Sequence, residues 1–352
     1  MRSGGRATAP GGQDASRRPP GAASSVPHRP PPFKEMTMIV RRVAAAALLG
    51  GALAAVPAQA QAAPHKGRPD VFPALRHSLV AYWDFEHPVE GAPARERDLG
   101  PSGTDIDLVN GGAAMRVPDG AHRGSRGSIQ VKQVNPQVAG NDDWKAGVYS
   151  ESGVPTLRAF NAARGATVMG WFKMTGVNPS PNSNTADPDD RYNATGLAGV
   201  LSGDSNGHDV RALLEIIDVQ GTQRVVALGR RIDGGDSQTF AASEDWQKIL
   251  PPDTWVFLAA TFDFDTGAMA LYKNGRPLPG FYTRDDDPWD LEGTPGPHRT
   301  SATDPRGIKI GGSFPQNTRE QNPCNCRIDS VMLFNRPLTA WEIQRQYRRL
   351  AR

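Results

Sequence analysis

From residue 79 onward, short apolar runs alternate with clusters of Gly, Pro, Asn and Asp. Leu79-Val-Ala-Tyr-Trp83-Asp-Phe85 places apolar side chains on both faces, the pattern of a strand covered on both sides. Residues 167–174, 199–202, 213–218 and 224–228 are rich in β-branched and aromatic side chains and are bounded by turn formers, so each predicts a strand. Residues 254–263 predict another, with Asp265-Thr266-Gly267 as a tight turn and 268–272 as the return strand. Asn274-Gly275 is the signal of a type I′ hairpin. Two further strands are expected at 307–311 and 327–334. The pattern then changes period. Thr339 with Glu342 three residues on forms a capping box, Ile343, Tyr347 and Leu350 make an apolar stripe, and Arg348, Arg349 and Arg352 suit a helix C-terminus. Neither heptads nor an internal repeat interrupt the series. The expectation is one all-β domain, a two-sheet antiparallel sandwich closed by a short helix.

The first 62 residues read differently. Residues 1–35 are rich in Arg, Pro, Gly and Ser with Phe33 as their one aromatic, too little apolar surface to offset the entropy of ordering. We read them as an upstream extension, with Met36 or Met38 as the start. Arg41-Arg42, the apolar run 43–56 and Pro57-Ala58-Gln59-Ala60 then have the three parts of a secretory signal peptide, with cleavage expected after Ala60 or Ala62. The run is too short to span a bilayer, which takes about 20 apolar residues. Residues 63–76 read as a linker and 77–352 as the domain. Export changes the charge argument. The whole chain is formally +3, but residues 1–62 hold eight of its basic and two of its acidic residues, leaving 32 Lys+Arg against 35 Asp+Glu, a net of −3. No basic stripe calls for nucleic acid in the remaining pattern, and no second apolar segment calls for a membrane span.

The two cysteines stand together as Cys324-Asn325-Cys326. In an exported chain a disulfide is the expectation. The other reading, half of a zinc site, lacks the second pair of ligands.

Several of these segments resemble a known family. Trp255…Thr261-Phe262 followed by Leu271-Tyr272-Lys-Asn274-Gly275 resembles the paired strands of laminin-G-like jelly rolls in the concanavalin A-like superfamily. Arg327-Ile-Asp329…Phe334-Asn335-Arg336-Pro337-Leu338-Thr339 resembles the closing strand and helix of its bacterial secreted members. Leu79-Val-Ala-Tyr-Trp83-Asp-Phe85-Glu86 with Asp98…Gly103 resembles their opening strand and turn. The resemblance runs over about residues 77–350 and is weakest from 110 to 165. It implies a jelly-roll sandwich and no particular function. It also implies a structural calcium where the first and last strands meet, with Asp329, Glu86 and Asp98 as ligands. A salt bridge from Asp329 to Arg327 or Arg336 is the competing account. On strict alternation Asp329 faces away from Ile328, together with Val331 and Leu333, toward the helix or the opening strand.

Catalytic patterns are thin. Glycoside hydrolysis needs two carboxylates facing one bond. Glu215-Ile-Ile-Asp218 has a spacing of three, which sends the pair to opposite faces of a strand. His77, His87, His122, His208 and His298 are scattered. The acidic loops Asp187-Pro-Asp189-Asp190 and Asp285-Asp286-Asp287 are compatible with calcium or with plain solvation. Trp83, Trp171 and Trp255 sit in strand patterns and read as core. Trp144, Trp246 and Trp289 sit in polar surroundings and are candidates to stack on sugar rings. The resulting expectation is an exported recognition module for an extracellular glycan or other cell-surface component. A glycoside hydrolase or polysaccharide lyase with an unrecognised site, and a structural or adhesive envelope protein, are the alternatives.

Overall fold

The computed structural model describes residues 70–134, 143–178, 194–201, 210–230, 237–284, 301–312 and 322–351. The expected signal peptide and upstream extension lie outside these residues. So do Trp289, His208, His298 and both acidic loops. The described residues belong to one compact unit, Ala63–Arg352. None of their helices is long and apolar enough to cross a membrane.

The strands are, in chain order, β1 (Leu79–Trp83), β2 (Pro88–Val89), β3 (Ala92–Glu96), β4 (Ile106–Val109), β5 (Arg116–Val117) and β6 (Ser128–Val131). Next come β7 (Lys145–Tyr149), β8 (Gly165–Met174), β9 (Thr195–Leu201), β10 (Val210–Val219), β11 (Thr222–Arg230) and β12 (Ser237–Ala242). The last are β13 (Val256–Asp263), β14 (Met269–Lys273), β15 (Arg276–Leu278), β16 (Gly280–Tyr282), β17 (Gly307–Ile310), β18 (Asn322–Pro323) and β19 (Cys326–Phe334). The first sheet has the order β15-β14-β13-β8-β19-β6-β5, with β1 also on β19. The second runs β16-β12-β11-β10-β9-β17-β7-β4-β3-β2, with β18 on β9. Pairing is antiparallel throughout except for the two residues of β18. The expected all-β sandwich with a short C-terminal helix is the fold observed.

One core lies between the sheets. Trp83, Ile129, Phe172 and Phe262 from the first sheet meet Leu108, Ala146, Ile216 and Ile308 from the second. A second core lies on the outer face of the first sheet. There Tyr82, Trp171, Phe257 and Phe334 are covered by Ile343 and Leu350 of α2 (Ala340–Leu350) and by Val71 and Leu75. The helix starts as its sequence predicts: Thr339 Oγ1 accepts from the Glu342 N–H and the Glu342 carboxylate reaches back to Thr339. The Asn274-Gly275 turn takes φ of 49° and 75°, as a type I′ turn requires.

The closing strand departs from strict alternation. Its register on β8 runs Asp329↔Trp171 and then Met332↔Met169, so β19 holds one extra residue. Ser330 carries the bulge with φ of 51°. The bulge sits where the neighbour on the other edge changes from β6, at Ile328↔Ile129, to β1, at Val331↔Trp83. The expected grouping of Asp329 with Val331 and Leu333 is therefore wrong. Val331 and Leu333 face the main core together with Ile328, and Met332 and Phe334 face the outer one.

Cys324 and Cys326 are joined by a disulfide, and both are buried. The small ring presents Asn325 to two other segments. Its carbonyl accepts from the Thr175 N–H and from Asn178 Nδ2, and its N–H donates to Asn178 Oδ1. Its side chain accepts from the Gln133 N–H and donates to the Val177 carbonyl. Closing so short a loop removes little denatured-state entropy. Cys324→Ser should therefore cost no more than about 2 kcal/mol in urea unfolding, the scale of stranding one buried polar group. Non-reducing mass spectrometry should find one peptide short of two hydrogens, and two alkylatable thiols in freshly purified protein would contradict the pairing.

Candidate functional site

Alternation fixes what each strand of the second sheet shows to its outer side. Ala212, Leu214 and Ile216 of β10, Ile308 and Ile310 of β17, and Ala146 of β7 point into the main core. Leu213 and Glu215, Lys309, and Lys145 and Gly147 therefore point outward. The register places Leu213 opposite Gly199, Gly199 opposite Lys309, and Lys309 opposite Gly147. Lys309 thus stands between two glycines on a floor without side chains. Gly199 has no room for one, since a Cβ would come 2.1 Å from Leu213 Cδ2. Beyond Gly147 the row continues to Asp107, which pairs with Arg95 at 3.1 Å.

These outward charges are deeply covered. Glu215 is 1% exposed, Lys309 3%, Lys145 3% and Arg230 5%. Burial pushes the Lys145 ammonium down to about 8, against the pull of Asp143. Beside Glu215 the same face is apolar: Val226, its cross-strand partner, packs with Ile217, Val219 and Ala241. Asp218 lies away from this group and accepts from the Gly221 N–H at the hairpin turn, so Glu215 and Asp218 do not share a face. Lys309 and Lys145 were open to sequence reading, because each alternates with apolar or small residues in its strand.

Of the tryptophans expected to stack on sugars, Trp289 lies outside the described residues and the other two are at least half-buried. Trp246 opens the short helix α1 (Trp246–Ile249), capped by Asp245, and belongs to the main core. Trp144 is half-buried, with Lys132 Nζ 3.6 Å from its ring centroid, and Gly111 against the ring. The most exposed indole among the described residues is Trp341 on α2, at 53%.

At the end of β1 the three carboxylates expected to share calcium have separate tasks. Asp98 accepts from the N–H groups of Tyr82, Gly100 and Thr104 and from Ser102 Oγ. Glu86 accepts from the N–H groups of Arg126 and Gly127. Asp329 accepts from the Ala121 N–H and from Ser330 Oγ, and His122 Nε2 lies 2.9 Å from the same hydroxyl. Their oxygens are turned to backbone and hydroxyl donors, and the three do not form a ligand set. Neither expected arginine reaches Asp329. Arg327 pairs with Asp119, as does Lys173, and Arg336 pairs with Glu342. Asp329 instead lies under the loop 118–127, where the Ala121 N–H supplies its partner. Among the described residues, Asp84, His87 and Glu96 are the side chains whose potential ligand atoms gather within 4.8 Å. Arg116 already lies 2.8 Å from the buried Glu96 carboxylate, and His87 Nδ1 is 2.8 Å from Asp84.

No protein-family model and no curated protein sequence matches the chain. Solved structures similar to it include a Trypanosoma rangeli sialidase in complex with a difluoro-KDN, at 14% identity and a TM-score of 0.46, over 77% of this chain and 32% of that one. A structure described by the entry of botulinum neurotoxin type C through two ganglioside molecules is 14% identical with a TM-score of 0.45, over 79% and 53%. The binding domain of Paraclostridial Mosquitocidal Protein 1 is 15% identical with a TM-score of 0.46, over 78% and 52%. The chain spans about a third to a half of the length of these proteins. The strand pairing above establishes the fold independently of them.

Proposed function

We propose that this chain is an exported recognition module of the laminin-G-like type that holds an extracellular glycan on the outer face of its second sheet. The observation that carries the reading is the set Glu215, Lys309, Lys145 and Arg230, charged and at most 5% exposed over a floor containing Gly199 and Gly147. Each of the four already has a partner within the protein, and buried charges held in place in this way are concentrated at functional sites. The neighbouring apolar patch around Val226 suits the C–H face of a sugar, while a few fixed polar groups set its orientation.

Lys309→Met keeps the aliphatic stem and removes the charge. Isothermal titration against a panel of polysaccharides should give heat with at least one glycan. The variant should bind it at least tenfold more weakly, about 1.4 kcal/mol, while its circular dichroism shows the sheets still formed. No heat with any glycan, together with a protein partner recovered by pull-down, would overturn the reading in favour of an adhesive role. Reducing-sugar or unsaturated-product release that disappears in Glu215→Gln would turn it into that of an enzyme.

A further inference from the structure

We infer that the exposed face of α2 is a second docking strip, for an anionic polysaccharide carrying carboxylate or sulfate groups. The exposed positions of this helix are Ala340, Trp341, Arg345, Arg348 and Arg349. Trp341, Arg345 and Arg349 follow one another at four-residue spacing, so they form a row on one side of the helix, about 12 Å long. The acidic residue of the helix, Glu342, is turned away from this row. It is tied to Arg336 and to the N-cap, so the helix itself puts no acidic side chain into the row. Surface helices ordinarily mix signs at this spacing, because Glu–Lys and Asp–Arg pairs support them. Compensation of the helix dipole accounts for Arg348 and Arg349 in the last turn but does not reach Arg345 or Trp341.

The aromatic end is arranged for stacking. Trp341 is 53% exposed, its ring meets Phe72 edge-on at 5.8 Å, and the Arg345 guanidinium lies 5.0 Å from its centroid. A sugar laid on the free part of the ring therefore has a guanidinium beside it for an acidic substituent. At the other end Arg349 enters a depression of about 480 Å³ lined also by Asp70, His122, Arg123, Gly124 and Leu350. Arg123 is exposed there and adds a fourth guanidinium to those of Arg345, Arg348 and Arg349. A membrane surface suits the strip less well. The apolar stripe of α2, Ile343 and Leu350, is already buried on the first sheet and has nothing left to insert into lipid.

The test is affinity electrophoresis in gels containing polygalacturonate, dextran sulfate or neutral dextran, with sedimentation on anionic phospholipid vesicles as a separate arm. Wild-type protein should be retarded by the two anionic polymers and not by dextran. Retardation should weaken steeply as sodium chloride rises and screens the contact. The triple variant Arg345→Ala, Arg348→Ala, Arg349→Ala should lose at least tenfold in apparent affinity while its melting temperature stays within a few degrees. Trp341→Ala should weaken binding without changing its salt dependence. Lys309→Met should leave this binding intact, so that failure here and failure of the sheet-face reading are separately visible. Unchanged retardation of the triple variant, equal retardation by dextran, or binding confined to vesicles would overturn the inference.

Discussion

Asp98→Ala should lower the stability of the sandwich by about 3–5 kcal/mol. The side chain is 3% exposed and holds four donors at once. Oδ1 accepts from the Tyr82 N–H at 2.8 Å and the Gly100 N–H at 2.5 Å, and Oδ2 accepts from Ser102 Oγ at 2.5 Å and the Thr104 N–H at 3.0 Å. Removing the carboxylate leaves these groups buried without it, and each stranded donor costs about 1–3 kcal/mol. The turn cannot drift to find water. Leu99 and Ser102 donate to the carbonyls of Tyr82 and Val80, and a Cβ on Gly100 would already collide with Ala81 Cα at 2.6 Å. Trp83, at the centre of the main core, donates through Nε1 to the Thr104 carbonyl, so loosening the turn loosens the core anchor too. Asp98→Asn keeps one acceptor oxygen but turns an amide toward two donors, and should fall between alanine and wild type. Urea unfolding midpoints at constant m-value would show the order. A loss below 1 kcal/mol would mean that the turn is held by its backbone contacts alone. A calcium-dependent rise in melting temperature that Asp98→Ala removes would restore the metal role.

That role for Asp98 marks the boundary of what the chain's pattern reveals. Strands, the Asn274-Gly275 hairpin and the capped helix are legible because they depend on periodicity and on residues a few places apart. Lys309 and Lys145 are legible for the same reason, once the apolar neighbours are assigned to the core. Asp98 is not: its partners are backbone N–H groups, which every residue but proline carries. Trp246 misled because its neighbours Glu244, Asp245 and Gln247 are polar. They belong to a helix start that turns one side chain inward, and a local average of polarity cannot show that. Arg327 looked destined for Asp329 two residues away, yet it pairs with Asp119, 208 positions distant, in the loop that also gives Asp329 the Ala121 N–H. The Ser330 bulge separates Asp329 from Val331 and Leu333. A non-glycine residue with positive φ leaves no compositional trace when it is serine.

The stability of the native chain should fall as pH rises from about 4 to about 7, and Asp329→Asn should remove much of that slope. Asp329 is fully buried. Burial pushes its carboxyl up from 3.8 to about 7, against the Ala121 N–H and the hydroxyls of Ser125 and Ser330, with Asp84 pushing further upward. Among the described residues no cationic side chain pairs with it. Tyr82 of β1 and Asp84 just after it approach from one side, and burial holds the His122 ring below its usual range, so that it stays uncharged at neutral pH. A carboxyl that binds its proton more tightly in the native chain contributes stability that is complete below its unfolded value near 4 and is lost as pH passes its folded value. For 3.8 against about 7 the contribution is on the order of 4 kcal/mol. Glu342 has the opposite sign. Arg336 holds it at about 2, so its contribution is present above 4.5 and is lost as pH falls toward 2. Asp329 therefore contributes to the loss of stability toward alkaline pH, as does Glu96, and Glu342 contributes to the loss toward acid. An amide at 329 can still accept from the Ala121 N–H and never has to be charged. Urea unfolding at pH 4.5, 6 and 8 should show wild type and Asp329→Asn close together at the lowest pH, with the variant several kcal/mol more stable at the highest. Parallel curves would place the titrating group elsewhere. Glu96 would then be the next to vary, since burial pushes its carboxyl to about 7 even with Arg116 beside it.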